Sequence, residues 1–392
     1  MTTRVSLAPL RIPGDAPAAP LLDPAGAATI LGGSDGILAE PIVPAADTLF
    51  GPRGAVLVGP DGPLLVTDTG HHRMLIWQRR PRADRQPADL VIGQPDFASE
   101  GRNAKADVTA ATLNDPTGIA GGAGVIAVAD AWNHRVLIWH GVPRRANQPA
   151  DVVLGQVDGH GGLANRGAGT PDADTLNWCY GVAIFGGKLV VADTGNRRVL
   201  VWDAIPERHG APADLVLGQR TFTSRDENAG DAPGPVGMRW PHGLTMWGGG
   251  LLVGDAGNNR IMGWRAMPRE HGQPCDYVLG QATTAGVDHN RGTYYPTAAT
   301  LNMPYGVAVL GERLVVADTA CSRLVGFAPY SRKTNALARW MSGQRRFCDQ
   351  GDNRWAAVAR DSVCWPYGVT AWGATAVIAD TGNNRVLLWA ST

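Results

Sequence analysis

The side chains of this sequence best suited to hold a metal are its five cysteines and nine histidines. Thiolates joined by an imidazole bind zinc, copper or an iron–sulfur unit. The candidate ligands are Cys179, Cys321, Cys348 and Cys364 with His242. Spacing along the chain does not group them, because no C-x-x-C or H-x-x-x-H stretch occurs. Two plainer fates are open to the thiols. Free cysteine usually behaves as a small buried hydrophobe, and a Cys348–Cys364 bridge would staple the loop between them. His242 with Asp115 is the one acid–base pair the sequence offers. No G-x-S-x-G stretch and no Walker-type loop accompanies it, so no catalytic residue is assigned. Whether any of these side chains meet depends on the elements that carry them.

Those elements repeat. V-A-D-T-G-N-R-R-V-L-V-W occupies residues 191–202, and near copies end at Trp77, Trp139, Trp264, Phe327 and Trp389. The leading acids are Asp68, Asp130, Asp193, Asp255, Asp318 and Asp380, at steps of 62 or 63 residues. Arg73, Arg135, Arg198, Arg260, Arg323 and Arg385 keep the same step. A Gly-Gln pair follows every copy but the last, at Gln94, Gln156, Gln219, Gln281 and Gln344, and an Asn stands nine residues beyond each Gln. Within one unit, residues 181–185, 189–192, 198–202 and 213–218 read as short apolar strands. Gly186-Gly187, a polar turn at 193–197 and a segment broken by Pro206 and Pro212 separate them. Four antiparallel strands per unit, repeated radially, predict an all-β, six-bladed β-propeller.

The sixth unit ends after its third strand. Residues 28–33, A-T-I-L-G-G, match the fourth-strand pattern L-V-L-G-Q at 215–219. The expectation is therefore a propeller over 27–392 whose ring is closed by 27–33, which removes an exposed edge. An N-terminal arm, residues 1–26, precedes it. Within each turn, Asp and Asn are expected to satisfy local amides and Arg to pair with Asp. The Trp ending the third strand is expected in the core.

The pattern L-x-V-A-D-x-x-N-x-R-V resembles the NHL repeat, and six copies cover nearly the whole chain. That resemblance implies a closed propeller serving as a binding platform or as a lyase-type enzyme. The units here are longer than usual NHL repeats, the excess lying after each Gly-Gln. Six-bladed lactonases and lyases hold a central metal with carboxylate or histidine ligands, and this chain has too few carboxylates at the matching positions.

Residues common to every unit rarely mark one functional centre, so departures from the repeat carry the functional reading. The chain direction puts the polar turns and the entry to each first strand on one face, the top. The position before the first-strand Gly holds Arg53, Thr117, Tyr180, His242, Tyr305 and Tyr367. Two residues earlier stand Gly51, Asp115, Trp178, Trp240, Met303 and Trp365. Sixfold geometry gathers these around the axis as an aromatic, nearly uncharged rim. Such a rim suits a ligand pocket; it equally suits a plug filling the narrow end of the channel. The cysteines depart from the repeat on the same face. Cys179 replaces a Pro, Cys321 a turn Asn, and Cys364 a loop Asn, while Cys348 opens the loop between blades five and six.

Composition limits the partners. Lys+Arg and Asp+Glu balance at 35 each, so no net field gathers nucleic acid or anionic lipid. RNA binding on the top face, as in some NHL domains, needs a basic patch, and Arg345, Arg346 and Arg354 give only a small one. No apolar run is long enough to span a membrane, residues 1–20 do not read as a secretory signal, and unpaired cysteine spacing suits a reducing compartment. The sequence thus predicts a cytoplasmic binding platform for a protein or small-molecule partner. The alternative is a protein binding a transition metal or iron–sulfur cluster, as enzyme or carrier.

Overall fold

The computed structural model describes residues 16–33 and 42–392. Part of the expected N-terminal arm, residues 1–15, lies outside the described residues. Six antiparallel sheets form the blades of a β-propeller. Their innermost strands are Gly54–Leu57, Pro116–Gly122, Cys179–Phe185, Pro241–Trp247, Pro304–Leu310 and Pro366–Trp372. Blade three continues outward through Lys188–Asp193, Arg198–Trp202 and Leu215–Leu217. Its last strand is three residues long, shorter than the sequence pattern implied. Among the described residues no helix is long and apolar enough to cross a membrane.

The core lies between the blades. Blade faces are apolar on both sides because each is covered by a neighbour, and each blade interface has its own buried cluster. Leu65, Ile76, Ile126 and Trp139 fill the one between blades one and two. Val190, Val201, Val253 and Trp264 fill the one between blades three and four. Leu31, Leu57, Val377 and Leu388 fill the closing interface, between blades six and one.

The N-terminus closes the ring. Thr29–Gly32 pairs antiparallel with Arg385–Ala390, Ile30 opposite Leu387. Residues 16–26, read from the sequence as part of an arm, are also built into the body. Ala19–Pro20 adds a parallel fifth strand beside Trp340–Ser342 of blade five. Leu21 and Leu22 are fully buried against blades five and six, and the Asp23 carbonyl accepts the Trp389 indole N–H at 2.8 Å. Pro and Ala around the two leucines hide this docking in the sequence, since they supply neither strand periodicity nor a helix pattern.

The repeated polar residues hold the top of each blade. In blade three, one Asp193 oxygen accepts the Asn177 N–H at 2.7 Å. The other accepts Asn196 Nδ2 at 2.8 Å and Arg198 Nε at 2.7 Å. Arg198 spends its remaining donors on the carbonyls of Asp172, Thr175 and Phe222, which fixes two long loops at once. In three units the loop Asn exchanges amide hydrogen bonds with the turn Asn of the next, as Asn165 does with Asn196. It adopts the left-handed conformation, φ 49° at Asn165, which Asn tolerates better than most residues. The Gln of each Gly-Gln pair donates back to turn and loop carbonyls, as Gln156 does to His134 and Leu163. The long loops are therefore tied down at their bases.

Candidate functional site

The innermost strands begin two residues earlier than the sequence suggested, at Pro or Cys, except in blade one. The register shifts immediately afterwards in blades two to six, for instance between Cys179 and Gly181. A bulge adds a residue to one strand and re-aims its side chain. Here it aims Tyr180, His242, Tyr305 and Tyr367 together. Tyr180 stacks on His242 with centroids 5.0 Å apart. His242 meets Tyr305 at 4.5 Å, and Tyr305 stacks on Tyr367 at 4.5 Å. The Arg53 guanidinium lies 5.0 Å from the Tyr367 centroid and 5.9 Å from that of Tyr180. These five side chains form a closed circuit, as cation–π and stacked or tilted ring contacts favour.

Thr117 holds the equivalent position in blade two but is not part of the circuit. It is fully buried, and its hydroxyl donates to the Tyr180 carbonyl at 3.0 Å. The expected ligand-facing role fails at this residue because a short β-branched side chain turns into the blade interface.

The circuit separates two spaces. Below it runs the central channel, a cavity of about 290 Å³ walled by the innermost strands of all six blades. Above it, on the top face, a cavity of about 330 Å³ is bounded by Trp178, Arg197, Trp240 and the circuit itself. Trp178 and Trp240 remain 42% and 40% exposed, so their ring faces are open to a guest. Both are held from behind. Trp178 packs against Trp132 and His134. Trp240 lies over the Arg239 guanidinium at 5.2 Å, and Arg239 pairs with Glu227. Trp365 is exposed on the same rim. Met303 holds its equivalent position, and its N–H donates to Asn259 at 2.9 Å.

His242 and Asp115 do not form an acid–base pair. His242 Nδ1 is 2.9 Å from the Trp240 carbonyl, so the proton on that nitrogen is donated there. The Asp115 carboxylate lies instead 3.8 Å from His72 Nδ1. Burial, opposed by the bond to Trp240 and aided by the Arg53 charge, pushes the His242 pKa down to about 4. The sign follows directly. Between the usual 6.5 and about 4 the unfolded histidine takes up a proton that the folded one refuses. Stability should therefore fall as pH drops through that window, by about 1.4 kcal/mol per unit from this residue. In thermal unfolding at pH 7 and pH 5, His242→Phe should lose less Tm on acidification than the parent. An identical loss would exclude His242 as a source of the acid sensitivity.

The thiols occupy separate niches. Cys179 is buried, its Sγ 3.1 Å from the Arg135 carbonyl. Cys321 takes the place of a turn Asn, facing Asn290 Oδ1 at 3.7 Å and Gln350 Oε1 at 3.8 Å. Burial, with Asp318 nearby, pushes its pKa well up. Burial and the Asp352 charge push that of Cys364 up to about 12. No disulfide bridge joins Cys348 to Cys364. Among the described residues, no three His, Cys, Asp or Glu side chains converge as a metal site requires. Cys179, Cys321, Cys348, Cys364 and His242 are not brought together.

From the sequence, His72 and His134 stand out as departures in the top turns, but the row they belong to does not. The residue ending each top turn is left-handed: His72, His134, Arg197, Asn259, Ser322 and Asn384. In five blades its side chain accepts the backbone N–H of the neighbouring rim residue. Trp178 donates to His134 Nδ1 at 3.0 Å, for example, and Gly51 to Asn384 Oδ1 at 2.8 Å. The signal was present, since all five are hydrogen-bond acceptors, but their identities differ. Arg197 cannot accept. Its rim neighbour Trp240 alone stays outside the left-handed region, its N–H directed to Asp255 at 3.3 Å.

No family model matches the sequence, nor does the sequence of any curated protein. Solved propellers do resemble it. A structural-genomics protein of unknown function from Bacteroides thetaiotaomicron aligns with a TM-score of 0.50 at 14% identity, over 97% of this chain and 77% of that one. Hydrazine synthase of Kuenenia stuttgartiensis aligns with a TM-score of 0.50 at 13% identity, over 92% and 99%. At such identities the likeness is one of fold.

Proposed function

We propose that this propeller, with its NHL-type repeat order, is a binding platform whose top face receives a small ligand above the axis. The observation that carries this reading is the 330 Å³ cavity between Trp178 and Trp240. That volume is at the small end of ligand sites, roughly 300–1,000 Å³, and its floor is rigid because the aromatic circuit is already packed. Two indoles braced from behind present flat surfaces at little entropic cost. The plug and the pocket are compatible: the circuit fills the channel mouth and thereby forms the floor of the site.

A protein partner is the second reading, favoured by the exposed indoles of Trp132 and Trp365 on the same face. Tryptophan is enriched among residues that dominate interface energies.

A fragment screen by ligand-observed NMR tests the first reading. Flat aromatic fragments should bind the parent chain and lose most of their binding in Trp178→Ala/Trp240→Ala. Both indoles are partly exposed, so the variant should fold. Undiminished binding to the folded double variant would place the site elsewhere.

A further inference from the structure

The cavity carries a charge imbalance that folding does not explain. Two of its lining side chains are guanidiniums, Arg53 and Arg197, and none is a carboxylate. Its one histidine, His242, is neutral at physiological pH because burial holds its pKa near 4. Among the described residues, neither arginine has a carboxylate within salt-bridge distance; Asp115, the acid whose charge acts on Arg53, lies outside the lining. Arg53 rests on the faces of Tyr180 and Tyr367. Arg197 donates once, from Nη1 to the Arg225 carbonyl at 3.1 Å, and its Nε is buried without a hydrogen-bond partner.

Compare the structural arginines of the repeat. Arg73, Arg135, Arg198, Arg260, Arg323 and Arg385 each meet an Asp within 3 Å. Where this fold needs an arginine for itself, it supplies the counter-charge. At position 197 it does the reverse, placing a cation where the other five turns carry an acceptor, and so losing one inter-blade hydrogen bond. A partly buried cation with an unsatisfied donor is costly unless an anion completes it. Guanidinium is also the side chain best shaped to take a carboxylate or phosphate through paired donors.

We propose that the top-face cavity binds a compact planar organic anion, an aromatic carboxylate, its ring between Trp178 and Trp240 and its charge met by Arg197 and Arg53. This deepens the ligand-platform reading and rests on it. The two indoles supply stacking faces, and the two cations supply selection for charge. A neutral ring of the same shape gains only the stacking. An inorganic anion gains only the charge.

Isothermal titration of the full chain with 2-naphthoate, with 2-naphthamide and with inorganic phosphate separates these contributions. The naphthoate should bind saturably, about tenfold or more tighter than either of the others. Arg197→Asn is the informative variant, because it restores the acceptor that five of the six turns use. It should unfold at the parent's temperature or above, yet lose about tenfold of the naphthoate affinity while changing naphthamide binding little. Should Arg197→Asn fail to fold, Arg53→Gln provides the same comparison. Equal affinity for naphthoate and naphthamide, or an unchanged preference in the arginine variant, would overturn the anion class and leave the aromatic platform standing. Binding of neither ring, or binding that survives Trp178→Ala/Trp240→Ala, would overturn both.

Discussion

Removing residues 1–33 should abolish cooperative folding. The deletion takes away the strand Thr29–Gly32 and with it the only partner of the outer edge of Arg385–Ala390 among the described residues. It also removes Leu21, Leu22 and Leu31, all fully buried. At about 25 cal/mol per Å² of apolar surface, each such leucine is worth roughly 2–3 kcal/mol. Losing three, together with a four-residue ladder and the acceptor of the Trp389 indole, approaches the whole stability of an ordinary domain, about 5–15 kcal/mol. The geometry makes the loss worse. An open ring leaves a free edge on blade six, and the closing cluster between blades six and one loses Leu31. Differential scanning calorimetry should show no sharp transition for the truncated chain. A transition as sharp and as hot as the parent's would show that the ring closes without this segment. Leu31→Asp offers the same test at one residue, burying a charge at that interface.

Asp193→Ala should be the most damaging exchange among the polar residues of blade three, costing about 3–5 kcal/mol. Asp193 and Arg198 are both fully buried, 2.7 Å apart. The gain from such a pair over an apolar substitute is small, but breaking it leaves one charge in the interior uncompensated. Here the Asn177 N–H and the Asn196 amide lose an acceptor as well. Asp231→Ala is the control. Its partner Arg220 lies at 2.8 Å, but both side chains are 59% exposed. Solvent screening limits that pair to about 1 kcal/mol or less. Chemical denaturation should separate the two variants by several kcal/mol. Similar midpoints would mean that the repeated Asp–Arg pair contributes no more than a surface bridge.

These two predictions rest on features that the sequence shows well. Asp193 and Arg198 recur five times at steps of 62 or 63 residues, and repetition converts a weak local pattern into a strong one. Ile30-Leu31-Gly32 was recognisable because five other units have a fourth strand to compare it with. The docking of Leu21 and Leu22 was not, for nothing in the repeat corresponds to it and proline masks it. The site divides along the same line. Tyr180, His242, Tyr305, Tyr367 and Arg53 were found by aligning units and asking where they disagree. Thr117 was grouped with them by position, although its size turns it inward. Alignment cannot show the direction of a side chain released by a bulge. Arg197 was passed over because its row changes identity from blade to blade: His, His, Arg, Asn, Ser, Asn. The common property is hydrogen-bond acceptance, and only the hydrogen bonds to neighbouring rim residues reveal it. The cysteines were gathered by counting departures from the repeat on one face. Sharing a face does not make side chains neighbours, and among the described residues no three of these groups converge.

Ligand binding by this propeller depends on the space above the aromatic circuit. Its most direct test is a crystal structure of the full chain grown with the tightest-binding aromatic fragment. Density for the fragment is expected between the Trp178 and Trp240 indoles, over the Tyr180–His242 stack and within reach of Arg197. Fragment density at another part of the surface, with only solvent above the circuit, would contradict it.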